Sequence, residues 1–189
     1  EKVFCVIISE RKHLTPNCNC QALSLNCLVT IGTLMKPSKS APSTLLDFIL
    51  QGKISGYASD GERQEKSFDD GSRGFEFTGH GYRYVDRYYG FNPFTGTEHI
   101  YSANGALLWV MNYYGQVDPL CADPMKVYSF LREAMRLVTP EYPFRGPALF
   151  DEGSLRYENQ QQGTLDCFYG TESIFENQEK VYFLHYHGG

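Results

Sequence analysis

The sequence has no apolar run near the roughly 20 residues that a helix needs to span a bilayer, and it has no cluster of basic residues. The first absence argues against an integral membrane protein. The 17 Lys and Arg residues are scattered among 22 Asp and Glu residues, and the formal net charge is -5. Such a chain lacks the positive surface that phosphate backbones require. We therefore expect neither direct nucleic-acid binding nor membrane association.

Cysteine is sparse outside the start of the chain, where Cys5, Cys18, Cys20 and Cys27 lie. A disulfide framework would spread its cysteines more evenly, and a chain of 189 residues can form a core without one. The apolar stretch at residues 2–8 ends at charged residues, below the usual length of a signal-peptide core. We therefore expect a reducing, cytoplasmic location.

Recognisable catalytic motifs are also missing. No nucleotide-binding loop, metal cage or catalytic triad stands out, and the glycines at positions 71, 74, 79 and 81 lack the spacing that cradles a phosphate before a helix. Carboxylates for acid–base chemistry could come from Asp86, Glu98 or Glu172. Charge pairing with nearby arginines explains these carboxylates equally well. The sequence alone therefore does not identify a glycosidase active site.

The first 34 residues differ in composition from the rest, and the polar segment KPSKSAPS follows them. This pattern predicts an N-terminal extension and linker over residues 1–42 and a single domain over residues 43–189. The alternative is that VFCVIIS and LNCLVTIG are two strands of the sheet, which their β-branched residues permit.

What the chain has in abundance is aromatic side chains, with 14 Tyr and 13 Phe against one Trp. Aromatic rings pack well on a pleated surface and favour strands. GFEFTGH and YRYVDRYYG alternate in polarity, and turn signals at Asn92-Pro93, Thr95-Gly96 and Asn104-Gly105 separate the strands that follow. LRYEN, TLDCFYG and VYFLHYHG complete the sheet as shorter strands. The sequence predicts an antiparallel, meander-like sheet.

Two helices complete the predicted α+β fold. Ser43 and Gly52 are suited to cap a short helix over about residues 43–51. Asp123, Pro124 and the apolar spacing that ends at Val138 predict a long helix over about residues 123–138. We expect both helices to pack on the sheet.

The strongest candidate for a binding site is a group of polar and aromatic residues on the sheet and the proline-rich connection after the long helix. Its members are Asp86, Tyr88, Trp109, Asn112, Tyr114 and Arg145. Alternation places Trp109 on one face of its strand, and Asn112 and Tyr114 on the other. Such a face could line a small-molecule pocket or simply supply core and cross-strand pairs.

A metal site is the alternative centre. His185 and His187 lie two residues apart in a predicted strand, so both imidazoles project from one face and can ligate a divalent transition metal. Suitable third ligands are Glu76, Asp86, Glu98 and His99. The alternative is that one histidine packs beside the aromatic residues and the other is solvated, which leaves the protein without a cofactor.

Four segments together resemble an uncharacterised domain family: YRYVDRYYGFNPFTGTEHIY, ALLWVMNYYGQV, YPFRGPALFDEGSLRYE and EKVYFLHYHGG. The resemblance covers about residues 43–189. This family occurs alone and appended to helix-turn-helix regulators of the lambda-repressor type, which implies ligand sensing or assembly. The chain itself carries no recognisable helix-turn-helix.

These observations favour a small-ligand-binding or regulatory domain without enzymatic activity, whose pocket contains Arg145. Arginine and tyrosine donors suit an anionic or carbohydrate-like ligand. A metal-dependent enzyme that uses His185 and His187 and a structural homo-oligomerisation domain are the two alternatives.

Overall fold

The computed structural model of the protein describes residues 44–58 and 65–189, which belong to one compact unit, Lys39–Gly189. The two possible strands near the N-terminus lie outside the described residues. Residue 43, at which the predicted domain begins, also lies outside them. The boundary at residue 43 therefore stays a prediction.

A nine-stranded antiparallel sheet dominates the described residues. Its strands are β1 (Lys66–Ser67), β2 (Arg73–Gly79), β3 (Tyr82–Gly90), β4 (Phe94–Ser102), β5 (Leu107–Val117), β6 (Leu149–Glu152), β7 (Leu155–Thr164), β8 (Cys167–Glu176) and β9 (Glu179–Gly188). The spatial order is β1-β2-β3-β4-β5-β9-β8-β7-β6. Two meanders are thus joined through β5 and β9, whose register runs from Met111 opposite Gly188 to Val117 opposite Tyr182. The prediction of an antiparallel sheet is confirmed.

The predicted α+β class with a long helix is wrong. Strands contain 51% of the described residues, and helices contain only 17%. The helices are α1 (Leu45–Ser55) and α2 (Pro124–Arg136), and both are short. Helix α2 ends before the predicted Val138 because Thr139 precedes Pro140, and a residue before proline is kept out of the helical region. The strand content is higher than predicted because β7 extends through the polar run NQQQGT, which pairs with β8 up to Thr164 opposite Cys167.

The start and end of α1 also differ from the prediction. Thr44 caps the helix, and its Oγ1 accepts a hydrogen bond of 3.1 Å from the amide of Asp47. The helix continues past Gly52 and ends before Gly56. Gly52 is buried under the ring of Tyr84, which lies where a Cβ atom would be. This glycine permits close packing of helix and sheet rather than ending the helix.

One face of the sheet, here called the inner face, carries the core. Both helices contribute buried side chains to it, including Phe48 and Ile49 from α1 and Leu131 and Ala134 from α2. Along β5, Trp109, Met111 and Tyr113 are buried, whereas the residues between them are not. This alternation decides which side chains of β5 lie on the inner face.

Candidate functional site

A cavity of about 720 Å³ lies on the inner face, where β2–β5, α1, α2 and the segment that carries Arg145 meet. Its charged lining residues are Lys53, Glu65, Arg73, Asp86, Glu98, Arg132 and Arg145. Its tyrosines are Tyr57, Tyr84, Tyr88, Tyr113 and Tyr128. Its apolar lining includes Phe75, Phe91, Phe94, Met125, Leu131 and Met135. A concave surface that combines apolar and aromatic side chains with convergent polar groups is typical of a small-molecule site.

A buried ion pair between α1 and β4 forms one wall of this cavity. Lys53 Nζ donates to Glu98 Oε2 over 2.6 Å, and both side chains are almost completely buried. Lys53 follows Ile49 by one helical turn, so it lies on the buried face of α1. Burial lowers the pKa of Lys53, while the negative charge of Glu98 opposes that change.

Asp86 lies beside this pair on the inner face of β3. It is the direct cross-strand partner of Glu98, and Tyr113 Oη donates to Asp86 Oδ1 over 2.7 Å. Burial, and then the charge of Glu98, raise the pKa of Asp86 to about 7. The hydrogen bond from Tyr113 acts in the opposite direction, because it stabilises the carboxylate. Asp86 can therefore exchange a proton near neutral pH.

Tyr113 can extend to Asp86 because residue 96 is a glycine. Gly96 is the cross-strand partner of Tyr113, and a Cβ atom there would overlap the phenol group of Tyr113. It would also lie 2.6 Å from the carbonyl oxygen of Arg87. Gly170 accommodates Tyr186 in the same way, and Tyr186 Oη donates to Asn159 over 2.9 Å. In both places, a glycine lets a tyrosine ring lie flat on the sheet and reach a buried polar group.

A second buried ion pair joins the connection after α2 to β8. Arg145 Nη2 donates to Glu172 Oε2 over 2.9 Å, and Glu172 is completely buried. The hydroxyl groups of Tyr157 and Tyr182 also donate to Glu172. Burial works against the charge of Arg145, but Glu172 holds its pKa well above the ordinary value. Arg145 Nε is buried and has no hydrogen-bond partner among the described residues.

The structure brings three of the six predicted ligand-binding residues together. Asp86, Tyr88 and Arg145 line the cavity. Trp109 is buried in the adjoining core, where its Nε1 donates to the carbonyl oxygen of Leu165 over 3.2 Å and its ring lies 5.8 Å from Lys53 Nζ. A binding role for any of these residues stays a prediction.

The other two predicted ligand-binding residues lie on the opposite, outer face. Asn112 and Tyr114 alternate with the buried residues of β5, and Tyr114 is exposed. They are therefore separated from the cavity by the sheet itself. Nothing in the structure brings Asp86 or Arg145 to them.

His185 and His187 also lie on the outer face, and both are exposed. They are cross-strand partners of Tyr114 and Asn112, respectively. Within residues 44–58 and 65–189, no group of three or more His, Cys, Asp or Glu side chains has an arrangement that could hold a metal ion. The two histidines project from one strand face as expected, and metal binding stays a prediction.

Sequence reasoning missed Lys53 and did not connect Glu98 and Glu172 to the cavity. The signal for Lys53 was its position four residues after Ile49, on the helical face that also contains Phe48. Glu98 and Glu172 alternate with buried residues of β4 and β8. Alternation places both carboxylates on the inner face, but it cannot show which cation each one meets.

The fold and cavity define a mainly β domain with a polar, aromatic ligand-sized cavity on one face of an antiparallel sheet. Residues 86–189 match the model of a family described as a domain of unknown function, DUF5680, and the chain belongs to this family. The shown match begins at Asp86, so the resemblance predicted from residue 43 is confirmed over residues 86–189. Comparisons with curated proteins and with solved structures found no match. Neither described helix has the length and apolar character needed to cross a membrane.

Proposed function

We propose that the protein binds a small, uncharged polyhydroxyl ring compound, such as a monosaccharide or disaccharide, in the inner-face cavity. The observation that carries this proposal is the combination of a 720 Å³ volume with five tyrosines and two buried ion pairs at its wall. Hydroxyl, carboxylate, ammonium and guanidinium groups together both donate and accept hydrogen bonds. A sugar, whose hydroxyl groups do the same, matches that lining.

The two buried cations of the cavity favour an uncharged ligand over an anion. Lys53 and Arg145 are each already paired with a buried carboxylate, at 2.6 and 2.9 Å. Arg73 has Glu65 within 3.4 Å. An anion would have to compete with these carboxylates, and breaking a buried ion pair is strongly unfavourable. A neutral hydroxyl group can instead form hydrogen bonds to polar groups of the lining without separating any charges.

Aromatic rings supply the apolar contact that a sugar face needs. Tyr88, Phe91, Phe94 and Tyr128 line the same cavity. Phe91 and Met125 are also exposed, so they mark the side on which the cavity meets solvent. Aromatic rings that are partly exposed offer contact area at low cost in side-chain entropy.

The test is a binding screen with a matched pair of variants. Thermal-shift measurements against neutral hexoses, pentoses, disaccharides and uronic acids should give a stabilising hit among the neutral sugars. The hit should be lost in Tyr88→Ala, because Tyr88 lines the cavity, and retained in Tyr89→Ala. Tyr89 is the adjacent tyrosine, and it is exposed and donates to Asp70 over 2.9 Å. Equal loss in both variants, or stabilisation by uronic acids alone, would contradict the proposal.

We also propose a regulatory role and a cytoplasmic location for the protein. A regulatory role is supported by the resemblance to domains attached to helix-turn-helix regulators. A cytoplasmic location is supported by the free thiols of Cys121 and Cys167. Fractionation of cells that produce the native protein tests the location, and co-purification with a DNA-binding protein in the presence of the sugar tests the regulatory role.

A further inference from the structure

We propose that the cavity also cleaves glycosidic bonds with retention of configuration, with Glu98 as the nucleophile and Asp86 as the acid and base. This inference rests on the proposed function, because the same cavity has to hold the sugar. It adds a reaction to what is otherwise a binding site.

The first support is the relative position of the two carboxyl groups. Asp86 and Glu98 are direct cross-strand partners on the inner face, and both line the cavity. The Cβ atoms of such partners are about 4.5–5.5 Å apart. Retaining glycosidases hold their two carboxyl groups about 5–5.5 Å apart, whereas inverting enzymes need about 6.5–9.5 Å to admit a water molecule. With Cβ atoms at this spacing and both side chains on one face of the sheet, the two carboxyl groups can adopt the shorter, retaining separation.

The second support is that the two carboxyl groups have different surroundings. Glu98 is paired with Lys53 over 2.6 Å. Among the described residues, no Lys or Arg forms an ion pair with Asp86, which accepts a hydrogen bond from the neutral hydroxyl of Tyr113. Burial raises the pKa of Asp86 to about 7, so a substantial fraction of it carries a proton at neutral pH. Two neighbouring carboxyl groups that are held by different partners are a recurrent acid and nucleophile arrangement.

The reaction balances with water as the only co-reactant. Glu98 forms a bond to the anomeric carbon as the bond from that carbon to the leaving oxygen breaks, and Asp86 gives its proton to that oxygen. Water then attacks the anomeric carbon and gives a proton to Asp86, and the bond to Glu98 breaks. The products are the free sugar and the released alcohol. Both carboxyl groups return to their starting protonation states.

The experiment uses the wild-type chain first. It is incubated with 4-nitrophenyl α- and β-glycosides of common hexoses and pentoses, and then with the corresponding 2-deoxy-2-fluoro glycosyl fluorides. We expect nitrophenol release from at least one glycoside. The matching fluorosugar should inactivate the enzyme and add the mass of one fluoroglycosyl group to the peptide that contains Glu98. This labelling needs no variant, so it is independent of any folding defect.

Variants then separate chemistry from structure. Asp86→Asn should lower the rate at least 100-fold, a typical contribution of general acid catalysis, and added azide should restore turnover of the activated glycoside. Glu76→Gln is the matched control, because Glu76 is a carboxylate of the neighbouring strand β2 that pairs with Lys66. Its rate should stay close to that of the wild type.

The outcomes distinguish the two proposals. A protein that binds a neutral sugar but neither turns over the panel nor acquires a label overturns the catalytic inference and leaves the binding proposal intact. Label on a residue other than Glu98 also overturns it. A protein that binds no sugar at all overturns both.

Discussion

Asp86 and Glu98 face each other across β3 and β4, yet each carboxylate is held by a different partner. Tyr113 donates to Asp86 over 2.7 Å, and Lys53 donates to Glu98 over 2.6 Å. Because like charges at this spacing repel, burial and the charge of Glu98 together raise the pKa of Asp86 to about 7. The two neighbouring carboxyl groups therefore differ in their hydrogen-bond partners and in their electrostatic surroundings.

Asp86→Asn should change how stability depends on pH. In the wild type, the folded state keeps a proton on Asp86 between the unfolded pKa of 3.8 and about 7, where the unfolded chain has released it. Folding stability therefore falls as pH rises through this window, by at most about 1.4 kcal/mol per pH unit. Lys53, Glu98 and Arg145, which also act on Asp86, remain in the variant.

The measurement is urea unfolding of both proteins between pH 4 and 8. The free energy of unfolding of Asp86→Asn should increase relative to that of the wild type as pH rises to 7. The difference between the two proteins should then level off. A difference that stays constant over this range would contradict the account.

Tyr113→Phe should raise the pKa of Asp86 further, because the lost hydrogen bond favours the carboxylate. The carboxyl ¹³C shift of Asp86, followed by NMR across pH, measures this directly. Loss of the hydrogen bond should also cost about 1 kcal/mol of stability. Tyr114→Phe is the control, since Tyr114 lies on the outer face and should leave the titration of Asp86 unchanged. An unchanged or lowered pKa in Tyr113→Phe would show that this hydrogen bond does not tune Asp86.

Gly96→Ala should destabilise the protein by about 3 kcal/mol, because the new methyl group would overlap Tyr113 and the backbone of Arg87. Gly71→Ala is a suitable comparison. Gly71 has a positive φ of 80°, but a Cβ atom added there would meet nothing within 4 Å beyond its chain neighbours, so only backbone strain of about 1 kcal/mol applies. Chemical denaturation of both variants gives the comparison. Equal losses would mean that close packing against Tyr113 has no special energetic role.

Glu172→Gln should cost about 3 kcal/mol or more, because it leaves Arg145 charged and buried without its carboxylate. Asp151→Asn removes the carboxylate of an exposed pair with Arg156 and should have little measurable effect. Thermal and urea unfolding of the two variants test this contrast. A mild effect at Glu172 would show that Arg145 does not depend on this ion pair.

Alternation within strands is the part of the site that the sequence could predict. It indicated that Trp109 lies on one face of β5 and that Asn112 and Tyr114 lie on the other, and the structure has this arrangement. The connection that carries Arg145 was also recognised from its composition. These features depend on local geometry, which period-two patterns reveal.

Long-range pairing is the part that could not be predicted. Lys53 was missed because the glycine at position 52 suggested a helix end, whereas its small size permits close packing against Tyr84. Arg145 and Glu172 meet although 27 residues separate them, and no local pattern indicates this contact. The extension of β7 through polar glutamines likewise comes from hydrogen bonding to β8. Tertiary contacts thus decided both the extent of the sheet and the partners of the buried charges.

The central claim is that a ligand occupies the inner-face cavity, and methyl NMR of methionine-labelled protein tests it most directly. Met125 and Met135 line the cavity, whereas Met111 is buried in the core and does not line it. Titration with the neutral sugar that gives the largest thermal shift should move the Met125 and Met135 methyl signals and leave the Met111 signal in place. Saturable binding without any change at Met125 and Met135 would contradict the account.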